Sequence, residues 1–241
     1  MQIENILIIL FFLFFKVNSL NNYYYPYNPK IHTLGNHGIT GKIHAKMSPY
    51  ITKLIDYKVY SNINIREEIY KYLIKDYDEH PYILDLCCGV GISTPKHNNC
   101  VGIDTSKPMI NEAKKLNKKF KHNYLLGNAE YIYETIDFEE HFKNNNNINY
   151  NGFDIVTIFF AFHEIPQEAR QEIILYHRQY TRKKIVIVDI DPEYKPSKTM
   201  LMGEPYLLEY KQNIRNDLIC FKEETIINNH VKMWTYDFLN K

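Results

Sequence analysis

From residue 82 onward, short apolar runs alternate with helical stretches. The runs are 82–86, 101–103, 124–126, 153–160 and 184–190, and several are nearly continuous in Ile, Val, Leu and Phe. A strand covered on both faces reads this way, because neither side-chain direction meets water. Between the runs, Met109, Ala113, Leu116 and Phe120 recur at helical spacing, as do Ala169, Ile173 and Tyr180 behind Pro166. This alternation predicts a parallel sheet built from βαβ units. Upstream, 51–73 reads as helical, with Leu54, Ile55, Ile69, Tyr72 and Leu73 facing a core. The chain then ends differently. Runs 218–227 and 231–238, parted by Asn228, Asn229 and His230, predict an antiparallel hairpin. The polar asparagine run from Asn144 to Asn147 is expected to be a disordered surface insertion.

The 241 residues fit one sizeable domain. Charged residues at 24% and apolar and aromatic groups at 45% describe an ordinary globular chain. Lys and Arg number 29 against 28 Asp and Glu, so there is no global basic field and a nucleic-acid partner is not favoured. Cys87, Cys88, Cys100 and Cys220 show neither zinc spacing nor a disulfide framework. Four thiols and no metal are expected.

The N-terminus changes the picture. Residues 6–15 are an unbroken apolar run, shorter than the roughly 20 needed to span a bilayer and suited to a signal-peptide core. Val17 and Ser19 supply the small residues of a cleavage site, although Glu4 and the lack of Lys or Arg make 1–5 an atypical start. Residues 1–19 are therefore expected to be a signal peptide, with an uncleaved anchor as the alternative. After cleavage no stable membrane span is expected. No Asp or Glu falls between Glu4 and Asp56, whereas Lys30, Lys42, Lys46 and Lys53 do, which is a transit-peptide composition. Residues 20–34 are assigned to a transit or linker segment, and 35–241 to one domain with an N-terminal cap containing His37, Lys42, His44, Lys46 and Met47. The expected route is secretory. Its destination is a secondary plastid of the apicoplast type, or else the endomembrane system or the outside.

The chemistry lies at the strand ends. The first strand runs from Ile83 through Asp85 into Cys87, Cys88, Gly89 and Gly91, where glycines let backbone approach a ligand and the next helix would offer its N-terminus. A dinucleotide fingerprint fails on detail, because Thr94 or Ile92 stands where its third glycine belongs. That disfavours a nicotinamide oxidoreductase. The second strand ends at Asp104, 19 residues after Asp85, and a carboxylate there can accept hydrogen bonds from both ribose hydroxyls. Thr105 and Met109 open the following helix, and Met109 is suited to an adenine face. The third strand ends near Asn128 and Ala129, where Asn128 can meet an adenine edge.

Three successive strand ends thus offer contacts for an amino-acid moiety, a ribose and an adenine. The arrangement resembles the class I S-adenosylmethionine-dependent methyltransferases, the small-molecule ones in particular. Asp85–Gly91 is similar to their first motif, Asp104 to their ribose carboxylate in a D-x-S-x-x-M pattern, and Asn128-Ala129 to their adenine segment. Cys87 stands where a glycine is common, and Asn128 where Asp is usual. The resemblance implies S-adenosyl-L-methionine as cofactor and a Rossmann-like doubly wound α/β fold. It implies a mostly parallel seven-stranded sheet in the order 3-2-1-4-5-7-6, closed by the C-terminal antiparallel hairpin.

The resemblance also implies that the end of the fourth strand borders the transferred methyl, beside His163 and Glu164. Each has a plainer reading. His163 can start a helix bonded to backbone, and Glu164 can be a first-turn acid favoured by the helix dipole. If the acceptor must lose a proton, His163 is the first candidate base. Beyond the fifth strand lie Asp189, Asp191 and Pro192, then Met200, Met202, Tyr206 and Tyr210, which form either an acceptor wall or helix packing. The expected function is methyl transfer to an unidentified, small-molecule acceptor. The alternative is a non-catalytic S-adenosylmethionine-binding or interaction protein of the same fold.

Overall fold

The computed structural model describes residues 34–77, 79–146 and 150–239. The expected leader 1–19, nearly all of 20–34, and Asn147 lie outside the described residues. Seven strands form one sheet: β1 (Ile83–Leu86), β2 (Cys100–Asp104), β3 (Tyr124–Leu126), β4 (Phe153–Phe159), β5 (Thr181–Ile190), β6 (Lys222–Ile227) and β7 (Val231–Asp237). Their order is 3-2-1-4-5-7-6, and β7 runs antiparallel to both β5 and β6 while the other pairs are parallel. This is the doubly wound, Rossmann-like sheet expected from the sequence, terminal hairpin included.

The helices among the described residues are α1 (Gly38–Lys58), α2 (Ile65–Ile74), α3 (Lys107–Leu116), α4 (Ile132–Thr135), α5 (Phe138–Asn146), α6 (Gln167–Tyr180), α7 (Lys198–Gly203) and α8 (Leu207–Asp217). Every residue of β1 and β4 is buried, as continuous apolar runs require. Alternation splits them between two layers. Leu84, Leu86, Val156 and Ile158 pack in one core with Ala169 and Ile173 of α6 and Leu207 and Ile214 of α8. Ile83, Ile155 and Phe159 pack in another with Ile65, Ile69 and Leu73 of α2. Each such aliphatic contributes about 1.5–3 kcal/mol by leaving water. All four cysteines are thiols. No helix among the described residues is long and apolar enough to cross a membrane.

The structure departs from the sequence expectations at several places. The helix expected over 51–73 is two. α1 begins much earlier, and Ser61 and Asn62 adopt left-handed φ of 53° and 62° before Asn64 caps α2 by accepting the Glu67 N–H. Ile69 and Leu73 are buried, but Leu54, Ile55 and Tyr72 are exposed. α3 stops at Leu116, itself exposed, and Phe120 has non-helical dihedrals. Asn144 and Asn145 are not an irregular insertion but the exposed last turn of α5.

The largest departure follows β1. No helix lies between β1 and β2. The 13 residues 87–99 are barely the dozen that a parallel crossover needs. Pro95, with positive φ at Cys87, Gly89 and Gly91, excludes a helix there. Side chains hold the turn instead. Fully buried Asp85 accepts hydrogen bonds from Ser93 Oγ (2.9 Å), Thr94 Oγ1 (2.7 Å) and Thr157 Oγ1 (2.9 Å). Lys96 donates to the Gly91 carbonyl and to the Tyr124 hydroxyl.

Candidate active site

In an open α/β sheet, ligands bind beyond the carboxyl ends of the strands, where the order reverses. Here that point lies between β1 and β4, and a cavity of about 600 Å³ opens there. Its first half is made by the ends of β1 and β2. Asp104 Oδ2 accepts the Gly89 N–H at 2.8 Å, and Oδ1 accepts the Ser106 N–H at 2.7 Å. Burial pushes this carboxyl up to about 6, against the pull of those two backbone donors. Each oxygen keeps a further lone pair for a ligand hydroxyl.

Cys87, Gly89, Asp104, Thr105 and Met109 all line the cavity. A Cβ on Gly89 would meet nothing within 4 Å, so the turn leaves room for a ligand at that point. Asn128 and Ala129 line a smaller adjoining recess of about 40 Å³, which shares Cys87, Asp104 and Thr105 with the large one. The expected amino-acid, ribose and adenine positions are therefore contiguous.

Two of the expected cofactor residues stand elsewhere. Asp85 lies beneath the floor, occupied with its three hydroxyls. Gly91 packs under Tyr124, where a Cβ would lie 2.4 Å from the ring, so that glycine serves packing. The helix N-terminus expected after the glycines is absent, because no helix follows β1.

The second half of the cavity is made by the ends of β4 and β5. Phe160 leaves β4 with φ of 53°, and Phe162–Glu164 form a single 3₁₀ turn. Asp189, fully buried on β5, accepts the backbone N–H of Phe162 at 2.8 Å and of His163 at 3.2 Å. Its other oxygen lies 2.6 Å from His163 Nδ1. Burial alone would pull the imidazole down, but Asp189 first, then Glu164 and Glu204, raise it to about 9. Pairing with Asp189 puts the Nδ1 proton between them and leaves Nε2 on the cavity side, 3.9 Å from Glu164 Oε1. His163 is thus more than a backbone-bonded helix start. Glu164 is not a first-turn acid of α6 either, since that helix begins at Gln167 and Glu168 occupies the turn. Ligand atoms of His163, Glu164 and Glu204 lie within 4.8 Å of one another, a spacing that also suits a divalent cation.

Of the proposed wall after β5, only Met200 lines the cavity. Met202 is exposed, and Tyr210 is buried with its hydroxyl donated to the Ile190 carbonyl at 2.6 Å. The N-terminal segment does cap the site through Asn36 and His44, and Ser106 Oγ donates to the Asn36 carbonyl. Lys42 and Lys46 are exposed and take no part. Sequence reasoning missed Tyr60, Arg66, Phe160, Tyr194 and His230, which also line the cavity.

Residues 83–184 match a family model described as a methyltransferase domain. That match and the 3-2-1-4-5-7-6 sheet give the chain the class I methyltransferase fold. Solved structures with the same fold include the plantazolicin methyltransferase BamL, in complex with a triazolic desmethylPZN analog and SAH. It is 15% identical at a TM-score of 0.51, with 81% of this chain and 95% of that one covered. The plantazolicin methyltransferase BpumL, in complex with SAH, is 14% identical at a TM-score of 0.51, covering 81% and 94%. The CurJ carbon methyltransferase is 10% identical at 0.53 over 80% of this chain, which spans 58% of that chain. No curated protein sequence matches the chain. Around the sheet, α2 packs against β4, and α1 lines the cavity through His44, Ser48 and Ile51.

Proposed function

We propose that the protein is an S-adenosylmethionine-dependent methyltransferase acting on a small-molecule acceptor. One observation carries this reading. A single cavity of about 600 Å³ joins the Gly89–Asp104 cradle to the His163–Asp189 pair, in the size range of small-molecule sites. Bound there, the sulfonium cofactor supplies an activated methyl. The chain's residues then have three tasks. Asp104 accepts the ribose hydroxyls and fixes the cofactor's place along the sheet. Buried Met109 and the capping His44 exclude water from that half. His163 Nε2 takes the proton of an acceptor O–H or N–H, while Asp189 holds the ring's orientation and stabilises the imidazolium. Since the imidazole is raised to about 9, its base form grows as pH rises toward that value.

The buried His163–Asp189 pair at the cavity favours this reading over a non-catalytic binding protein of the same fold. Calorimetry with S-adenosylmethionine and S-adenosylhomocysteine tests the cofactor, and a labelled-methyl transfer screen across metabolite and lipid extracts tests the activity. Cofactor binding with no labelled product in any extract would favour the binding protein. Loss of turnover on dialysis against a chelator would instead assign the His163–Glu164–Glu204 cluster to a cation. The apolar run 6–15 supports targeting to the secretory route. N-terminal sequencing of the native protein should then find a start near Leu20 or later, and Met1 would reject cleavage.

A further inference from the structure

The acceptor half of the cavity contains a cation that methyl transfer does not require. Arg66, at the start of α2, lines it together with Tyr60, Phe160 and Tyr194. Its side chain is 14% exposed, and its guanidinium lies over the Phe160 ring, 4.7 Å from the centroid. That stacking orients a planar fork with five N–H donors. Among the described residues its hydrogen bonding is one long contact, Nη1 to Asp56 Oδ1 at 3.3 Å. Burial raises the Asp56 pKa by more than Arg66 lowers it. One long contact to Asp56 leaves the other N–H donors of the fork for a second anion, which would offset the cost of burying the cation.

We propose that Arg66 is an anion subsite of the acceptor pocket, so that the acceptor is a small organic acid whose apolar body lies among Tyr60, Phe160 and Tyr194 and whose carboxylate or phosphate pairs with the guanidinium. The proposal rests on the methyltransferase reading for the word acceptor, but the anion site is measurable without it. Its rival is a purely structural pair, in which Arg66 and Asp56 only tie the end of α1 to α2.

Benzoate, phenyl phosphate and the uncharged benzamide are suitable probes, titrated calorimetrically into the full chain with and without saturating S-adenosylhomocysteine. Benzoate or phenyl phosphate should bind more tightly than benzamide, and the one preferred tells carboxylate from phosphate. Arg66→Gln should erase that preference, weakening the anions about ten- to a hundredfold as a charge-assisted contact is lost, with benzamide unchanged. Asp56→Asn, which removes the competing carboxylate, should tighten the anions while keeping the cation. Anions that bind no better than benzamide, or a preference that survives in Arg66→Gln, would overturn the proposal. Should Arg66→Gln fail to fold, an Asp56→Asn protein with unchanged anion affinity would overturn it equally. Failure of S-adenosylhomocysteine to bind the unmodified chain would count against the cofactor reading alone, because the anion preference is also read in its absence.

Discussion

The two halves of the cavity are built by different means. The cofactor half is mostly backbone: Gly89 and Ser106 N–H groups on Asp104, a left-handed Cys87, and a glycine with open space at its Cβ. Apart from the cap of Asn36 and His44, its parts lie between residues 87 and 129. The acceptor half is mostly side chains brought from far apart: Arg66 over Phe160, His163 on Asp189 of the neighbouring strand. The first half depends on local chain geometry, which a short motif can encode. The second depends on tertiary packing, which can change residue by residue while the sheet stays fixed. One fold thereby keeps one cofactor site and varies the acceptor.

The comparison can be broken most directly at Asp104. Asp104→Ala removes two charge-assisted ribose contacts, each worth about 1.5–3 kcal/mol, so S-adenosylhomocysteine affinity should fall at least about a hundredfold by calorimetry. Unchanged affinity would sink the assignment of that half. His163→Ala tests the other half in isolation. Turnover should drop roughly 10²–10⁴-fold with cofactor affinity unaltered, and wild-type turnover would mean that the acceptor keeps its proton or gives it to another group.

Asp189→Asn should act through the imidazole. Removing the carboxylate removes the chief cause of the raised pKa and leaves burial, which lowers it, opposed only by Glu164 and Glu204. The rising limb of the pH–rate profile, expected near 9, should therefore move to lower pH. A limb that stays in place would show that another group titrates there. The smallest effects separate the two glycines. Gly91→Ala drives a methyl into the Tyr124 ring and should cost about 1–3 kcal/mol of stability by denaturant melt, with the cofactor still bound. Gly89→Val should block the cofactor, with added backbone strain because a branched residue rarely adopts the φ of 55° there. A reversal of these two outcomes would exchange their roles.

Most of the sheet was legible in the sequence because strands covered on both faces cannot hide their apolar runs. β3 falls on the expected residues, and the hairpin was marked by Asn228, Asn229 and His230, with Asn229 supplying the left-handed φ of the turn. Asp104, Thr105 and Met109 were legible for the same local reason. The pairing of His163 with Asp189 was not, since the residues are 26 apart and only the β4–β5 register unites them. A signal was present: an acid inside the otherwise apolar run Ile185–Ile190 needs a buried partner. Arg66 gave no such sign. It precedes Glu67 and Glu68 on a helix whose polar face is ordinary, and only the fold turns it over Phe160. The missing helix after β1 was misread because glycines after a strand usually introduce one, whereas a 13-residue crossover containing Pro95 has no length to spare.

That helix-free crossover has a dynamic consequence. A helix protects its amides one by one through its own ladder, whereas the amides between Gly89 and Asn99 have few backbone partners, the Gly91 N–H to the Cys88 carbonyl at 2.9 Å among them. Their order depends on buried Asp85 and its three hydroxyl donors. When that knot opens, the whole segment opens as one unit. Hydrogen exchange across it should be fast and uniform in the ligand-free protein. A ligand seated on Gly89 and Asp104 should slow it throughout, which makes this stretch of chain a built-in reporter of occupancy.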